Sequence, residues 1–160
     1  MEHGHRHYSH MLGVSPLHIV DCENPSNRQM IYTSLKHWFY MEGDLRGFTF
    51  SGASSIFSAI GDGDHALSCL LSGLCLCKPN TFYREAGPVI ESPLGMAEAL
   101  HDMLLQSHNG VVHIFPALPS AWRDVSFQDL RAEGAFLVSV QMRGGKMEFI
   151  RIHSLMGEPL

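Results

Sequence analysis

Residues 2–10 read EHGHRHYSH, so His3, His5, His7 and His10 crowd around one guanidinium, Arg6. Three chemistries would use such a set. The first is a zinc site, which needs three or four converging ligands; the H-x-H-x-H alternation puts His3, His5 and His7 on one side of an extended chain. That choice leaves Arg6 beside a dication, and no H-E-x-x-H or other catalytic zinc spacing occurs. The second is a set of structural histidines. The third is a polar floor for a sugar or an anion, built from the imidazoles and the guanidinium together, because arginine offers a fork of donors and neutral histidine one donor and one acceptor. An affinity tag would be an uninterrupted histidine run, which this is not.

A second reactive stretch is REAGPVIESP at residues 84–93. Glu91 follows an apolar pair and precedes a helix start, so it sits at an element boundary, where a carboxylate can be aimed into a cavity. It reads equally as a first-turn glutamate favoured by the helix dipole. Glu85 has the same standing. Asp62-Gly63-Asp64 lacks the further oxygen ligands and the closing glutamate of an EF-hand loop. No G-x-S-x-G, P-loop or dinucleotide fingerprint occurs, so no serine nucleophile and no cofactor is implied. Cys75-Leu-Cys77 has one intervening residue where zinc sites usually have two to four, and Cys22, Cys69, Cys75 and Cys77 read as buried free thiols, with no disulfide framework in their spacing.

These residues need elements to hold them. Asn24-Pro25 is an N-cap followed by a first-turn proline, and Ile31, Leu35, Trp38 and Phe39 after it mark one face of a helix that should stop near Glu42-Gly43. Ala53, Ile56, Phe57 and Ile60 predict a second helix ended by Gly61. Leu67, Leu70, Leu71 and Leu74 predict a third after Asp62, making a helical hairpin. Ser92-Pro93 repeats the cap-plus-proline start, and Met96, Ala99, Leu100, Met103 and Leu104 form the cleanest apolar stripe, expected to close at Asn109-Gly110. The period then changes from helical to alternating. Residues 111–115 read as a strand, and Phe136, Val138, Val140 and Met142, the Gly144-Gly145 turn and residues 147–153 read as a hairpin. The stretch 116–129 is the expected boundary, with Trp122 packing across it. A run of helices followed by strands predicts an α+β chain.

The 160 residues suit one core, which would bury about 70% of the unfolded surface. With 45% hydrophobic and 17% charged residues the composition is that of a folded protein. Eleven basic against 16 acidic residues give a net charge of −5 and no basic run, so nucleic acid is not an expected partner. No stretch approaches the length of a membrane span, and MEHGHRHYSH lacks a signal-peptide apolar region, so neither a membrane nor an address is read from the chain.

Taken together, the motifs carry a resemblance. HRHYSHMLGVSPLHIV resembles the His-Arg-His-x-Ser-His-Leu-x-Gly-x-x-Pro signature of glycoside hydrolase family 95, the α-L-fucosidases and α-L-galactosidases. IGDGDHAL is similar to a turn between that family's barrel helices. The run GMAEALHDMLLQSHNGVVHIFPALPSAWRDVSFQDLRAEGAFLVSVQMRGGK is similar to its passage from the last helix of an (α/α)6 barrel into a C-terminal β-domain. The resemblance covers nearly the whole chain, in order. It implies helical hairpins of a partial (α/α)6 barrel over residues 1–115 and a β-domain segment over 116–160.

It also implies inverting hydrolysis of α-L-sugars in an oligosaccharide or glycan: an acid protonates the leaving oxygen while a base activates water on the opposite face, the carboxyls standing roughly 6.5 to 9.5 Å apart. Glu91 falls on the family's base, within Ile-Asp-Gly-Asn, and Arg6 and His7 fall on its sugar-contacting Arg-His. Two departures stand out: glutamate replaces the family aspartate, and Ser92-Pro93 replaces Gly-Asn. The family's general acid and its water-activating asparagines precede the first motif and have no counterpart here. Expectation therefore divides among three readings: the C-terminal part of a longer hydrolase, whose isolated chain self-associates through uncovered helix faces; a catalytically incomplete sugar-binding remnant; and a metal-binding histidine module. Export of a parent enzyme stays open.

Overall fold

The computed structural model describes residues 5–41, 45–79 and 89–157. Among these residues, after a 3-10 turn at Ser9–Met11, four α-helices come first: α1 (Pro25–Tyr40), α2 (Gly47–Ala59), α3 (Gly63–Leu74) and α4 (Glu91–Leu104). Five strands follow in two antiparallel sheets, β1 (Leu105–His108) with β2 (Val111–Ile114), and β3 (Val125–Ala132), β4 (Phe136–Arg143) and β5 (Lys146–Ser154) in that order. The α+β class expected from the sequence is thus observed.

The helix starts have local causes. Asn24 Oδ1 accepts from Ser26 N and Asn27 N at the head of α1. Asp62 caps α3 by accepting from His65 N, and it also accepts from the Tyr32 hydroxyl of α1. Burial pushes the Asp62 carboxyl up, but these hydrogen bonds and the His65 imidazole more than offset it and hold it below its ordinary value. Asp64 Oδ1 accepts from the amide and hydroxyl of Ser120, and Gly63 lies so close to the Ala117 carbonyl that a Cβ would stand 2.4 Å from it. The Asp-Gly-Asp turn therefore clamps the segment that crosses from helices to sheet.

Four sequence expectations need correction. The cysteines expected to be buried are not: Cys75 is exposed and Cys22, Cys69 and Cys77 are half-buried. Ser92 is not a cap: α4 begins at Glu91 with Ile90 as its N-cap, and the buried Ser92 hydroxyl has no hydrogen-bond partner among the described residues. Nor does α4 run on to Asn109-Gly110. Asn109 and Gly110 both adopt positive φ, 54° and 75°, which is the geometry of a tight hairpin turn, and they draw residues 105–108 out of the helix into pairing with β2. The orphan carbonyls of the last turn are satisfied in exchange, Leu104 O by Phe115 N and Met103 O by Ala117 N. Finally, residues 125–132 form a strand that the 116–129 boundary had absorbed. A bulge between Phe127 and Leu130, with Asp129 at φ 54°, slips the apolar alternation by one and hides it.

Two apolar clusters result. Ile31, Leu35, Trp38, Ile56, Met96 and Met103 belong to the helical one, with Trp122 packed against it; Leu105, Phe136, Val138 and Val140 belong to the sheet. Their hinge is Gln106, whose side-chain amide donates to Ser58 O of α2 and Asp102 O of α4. Helices α2 and α4 run parallel and close, because Gly95 lies beside Ser51, Asp102 bonds Ser55 and Gln106 bonds Ser58.

Small residues on α2 admit a further guest. Gly52 faces the Tyr8 ring so closely that a Cβ would come within 1.9 Å of it. Gly52→Ala should therefore destabilise the chain by about 1–3 kcal/mol through overpacking, outweighing the roughly 1 kcal/mol that alanine contributes in a helix. Urea unfolding followed by Trp38 fluorescence measures it; a neutral or stabilised variant would mean that Tyr8 does not seat there.

Candidate functional site

The residues singled out at the N-terminus are held by the starts of two helices. Trp38, buried on α1, donates its indole N–H to the His5 carbonyl at 2.8 Å. The Thr49 hydroxyl, in the first turn of α2, donates to the Arg6 carbonyl at 3.4 Å. The His7 ring lies against Phe48 with centroids 5.5 Å apart, and Tyr8 stacks on the same Phe48. Backbone and rings are thus anchored while the side chains of His5, Arg6 and His7 stay exposed.

Their hydrogen bonds fix what they offer outward. Arg6 Nε donates to His7 Nε2 at 2.9 Å, and His7 N donates to His5 Nδ1 at 3.1 Å. In the neutral rings the remaining protons then sit on His7 Nδ1 and His5 Nε2. Both acceptor lone pairs are used inside the cluster, so the surface turned outward consists of donors: two imidazole N–H groups and the terminal nitrogens of Arg6. Such a surface suits hydroxyl or anionic oxygens. It does not suit a cation, and the described residues contain no group of three or more histidine, cysteine or acidic side chains able to hold a metal ion.

Glu91 is exposed in the first turn of α4. One turn later Gly95 lies against Ser51 and Phe48, and Phe48 carries the His7 ring. Because α2 and α4 are parallel, Glu91 and the Arg6–His7 pair project from the same end of the helix pair. Among the described residues Glu91 has no side-chain hydrogen bond. His3, Arg84 and Glu85 lie outside the described residues. His10 is turned aside, edge-on to Trp38 at 5.8 Å, and burial lowers its pKa, with His37 adding to the shift.

Beneath this end lies a polar pair that sequence reasoning did not single out. Asp102, three turns along α4, faces α2 and bonds Ser55; burial pushes its carboxyl up to about 7, with Glu98 adding to the rise and Ser55 opposing it. Tyr8 is raised by burial and by the same two carboxylates. The hydrophobic stripe of α4 was visible in the sequence, but an aspartate beside it carries no signal until α2 is known to cover it.

Residues 106–160 match the family described as glycoside hydrolase family 95, C-terminal domain. The chain is 28% identical to Alpha-L-fucosidase 2 of Arabidopsis thaliana over 91% of its own length, and it spans 19% of the length of that relative. The family match over the C-terminal third and the likeness to this relative over most of the chain agree with the resemblance carried by the motifs.

The Asp102 carboxyl gives a testable pH dependence. Its folded pKa, about 7, lies above the ordinary 3.8, so the folded chain binds more protons than the unfolded one between those values and loses stability as pH rises through that window. Asp102→Asn should therefore unfold at higher urea than the parent at about pH 8, with the advantage shrinking toward about pH 4. A variant equally destabilised at both pH values would show that the ionised carboxylate is not under strain.

Proposed function

We propose that these residues form part of the active site of an inverting glycoside hydrolase acting on α-L-fucosides or related α-L-sugars, within a longer polypeptide. Arg6, His7 and His5 bind sugar hydroxyls, Glu91 is the general base that activates water, and the general acid comes from outside the chain. Residues 1–115 then belong to the catalytic helical unit and 116–160 to a β-domain segment. The observation that carries the reading is the common end: α2 and α4 are parallel, so the donor floor packed against the head of α2 and the carboxylate at the head of α4 lie at the same end of the helix pair. Glutamate in place of the family aspartate reaches one methylene further, which shifts the water it would hold.

The alternative, an incomplete remnant that binds sugar without turnover, is favoured by one observation: Glu91 has no side-chain partner to orient it among the described residues. Titration of the folded chain with L-fucose and L-galactose should give a saturable response that Arg6→Ala weakens about tenfold or more, the loss expected when a charge-assisted donor is removed. No response, or one indifferent to Arg6, removes the sugar floor. The chain alone should not hydrolyse aryl α-L-fucosides. Turnover that Glu91→Gln abolishes would place the acid within these residues and overturn the fragment reading.

The outer face of α3 and α4 bears on partners. Leu71, Leu74, Ile90, Leu94 and Leu100 are exposed along it, and Leu74, Ile90 and Leu94 line an apolar groove of about 580 Å³. Contiguous apolar surface of this kind favours association. In sedimentation velocity the isolated chain should self-associate, and Leu74→Glu with Leu94→Glu should return it to monomer. A monomeric parent chain at tens of micromolar would refute this.

A further inference from the structure

Three imidazoles stand in a face-to-face column at the opposite end of α2 from the Arg6–His7 floor. His18 lies on His108 with centroids 4.2 Å apart and planes within 6°, and His108 lies on His113 at 4.8 Å and 24°. The three come from two segments. His18 belongs to the loop that continues from the floor; His108 and His113 belong to the β1–β2 hairpin. A second tie runs alongside, from the Asn109 side-chain amide to the His18 carbonyl at 3.2 Å. His18 holds φ 46°, a left-handed conformation uncommon for a side-chain-bearing residue, which persists only where surrounding contacts enforce it. The column borders an open cleft of about 850 Å³, so solvent protons reach it.

We propose that the His18–His108 stack, backed by the His113 ring, is an acid-released latch, joining the loop that carries the Arg6–His7 floor to the β1–β2 hairpin when His18 and His108 are neutral and letting that loop go when they are charged.

The physical reason is proximity. Hydronium gives its proton to an imidazole lone pair and leaves as water, and protonated His18 and His108 then stack like charges 4.2 Å apart, where neutral rings attract by dispersion. The surroundings do not neutralise them. The groups facing the column are Asp21, Cys22 and Glu23 from the same loop as His18, Arg28 from α1, and Glu133 from the β3–β4 turn. Glu133 favours the charged form of His18 and His108. Burial and the neighbouring histidines outweigh it, and both rings are held below their ordinary value of 6.5. The sign follows: the unfolded or opened loop takes up protons more readily than the latched one, so the latch is fully held above about pH 6.5 and is lost as pH falls below it. Met11 and Val14, between His7 and His18, are buried in the helical core, so the stretch that the latch releases is the part of the loop beyond Val14. The device stands independently of what the floor binds.

Amide hydrogen exchange tests it. Ile19 N and Val20 N both donate to Gly13 O at 3.0 Å and report the closed loop, while amides within α2 report global stability. Between about pH 7.5 and about pH 5.5, after correction for intrinsic rates, exchange at Ile19 and Val20 should rise more than about threefold with α2 amides unchanged. His108→Phe keeps a flat ring that cannot be charged and should abolish the rise, as should His18→Phe, which covers the case in which the first variant does not fold. If neither folds, nuclear magnetic resonance titration of the parent chain decides: His18 and His108 must titrate below 6.5 at the same midpoint as the Ile19 and Val20 amide shifts. An acid response that persists in a folded variant, its absence in the parent chain, or separate midpoints would overturn the latch.

Discussion

Everything described above depends on how closely α2 and α4 approach. Helix α2 reads GFTFSGASSIFSA, and ten of its thirteen residues are buried. A helix covered on most of its surface is usually apolar all round. Here eight of the thirteen are serine, glycine or alanine, because on those faces the neighbours on α4, α3 and the N-terminal segment come too near for larger side chains. The hydroxyls are accommodated one at a time: Ser54 donates to Ala66 O on α3 at 2.8 Å, Ser51 to Phe48 O, and Ser55 bonds Asp102. Among the described residues the Ser58 hydroxyl has no partner, a local cost offset by the surrounding packing. The same close approach lets Tyr8 lie flat on Gly52 and brings the His5–His7 segment to the head of α2.

Much of this architecture could be read from residue types, for physical reasons that differ along the chain. Asn24-Pro25 and Asp62 act through hydrogen bonds to the next few amides, so sequence alone locates them. The Gly144-Gly145 turn, with both φ positive, is equally local. Ser92-Pro93 carries the same signature as Asn24-Pro25 and misleads, because burial of the helix start turns the serine inward. Asn109-Gly110 is ambiguous by nature: asparagine and glycine serve both to end a helix and to turn a hairpin, and only the partner strand decides. The bulge at Asp129 is invisible to alternation, since its anchor is the buried hydroxyl of Ser139 across the sheet, bonded to Asp129 N and Oδ1 at 3.0 Å each.

The site shows the same division. Arg6, His7 and Glu91 were identifiable as chemically capable groups and through the family resemblance, but their shared direction is a property of helix packing. So is the restriction of the floor to donors, which depends on which ring nitrogen each neighbour consumes. Asp102 and the histidine column had no sequence signal at all. Each is created by a surface brought over it from elsewhere: α2 in one case, and a loop 90 residues distant from His108 in the other.

The parallel arrangement of α2 and α4 also bears on the order of assembly. Parallel neighbours cannot be joined by a tight turn, and the Gln106–Ser58 hydrogen bond that closes their far end spans 48 residues. The strand pairs are joined by short turns, so their contacts are local and close with little loss of chain entropy. Helical hairpin α2–α3 is local too. The β hairpins can therefore form early and wait, while the helical half commits only when α4 returns across α2, bringing the two ends of the chain's chemistry into register as the last large step.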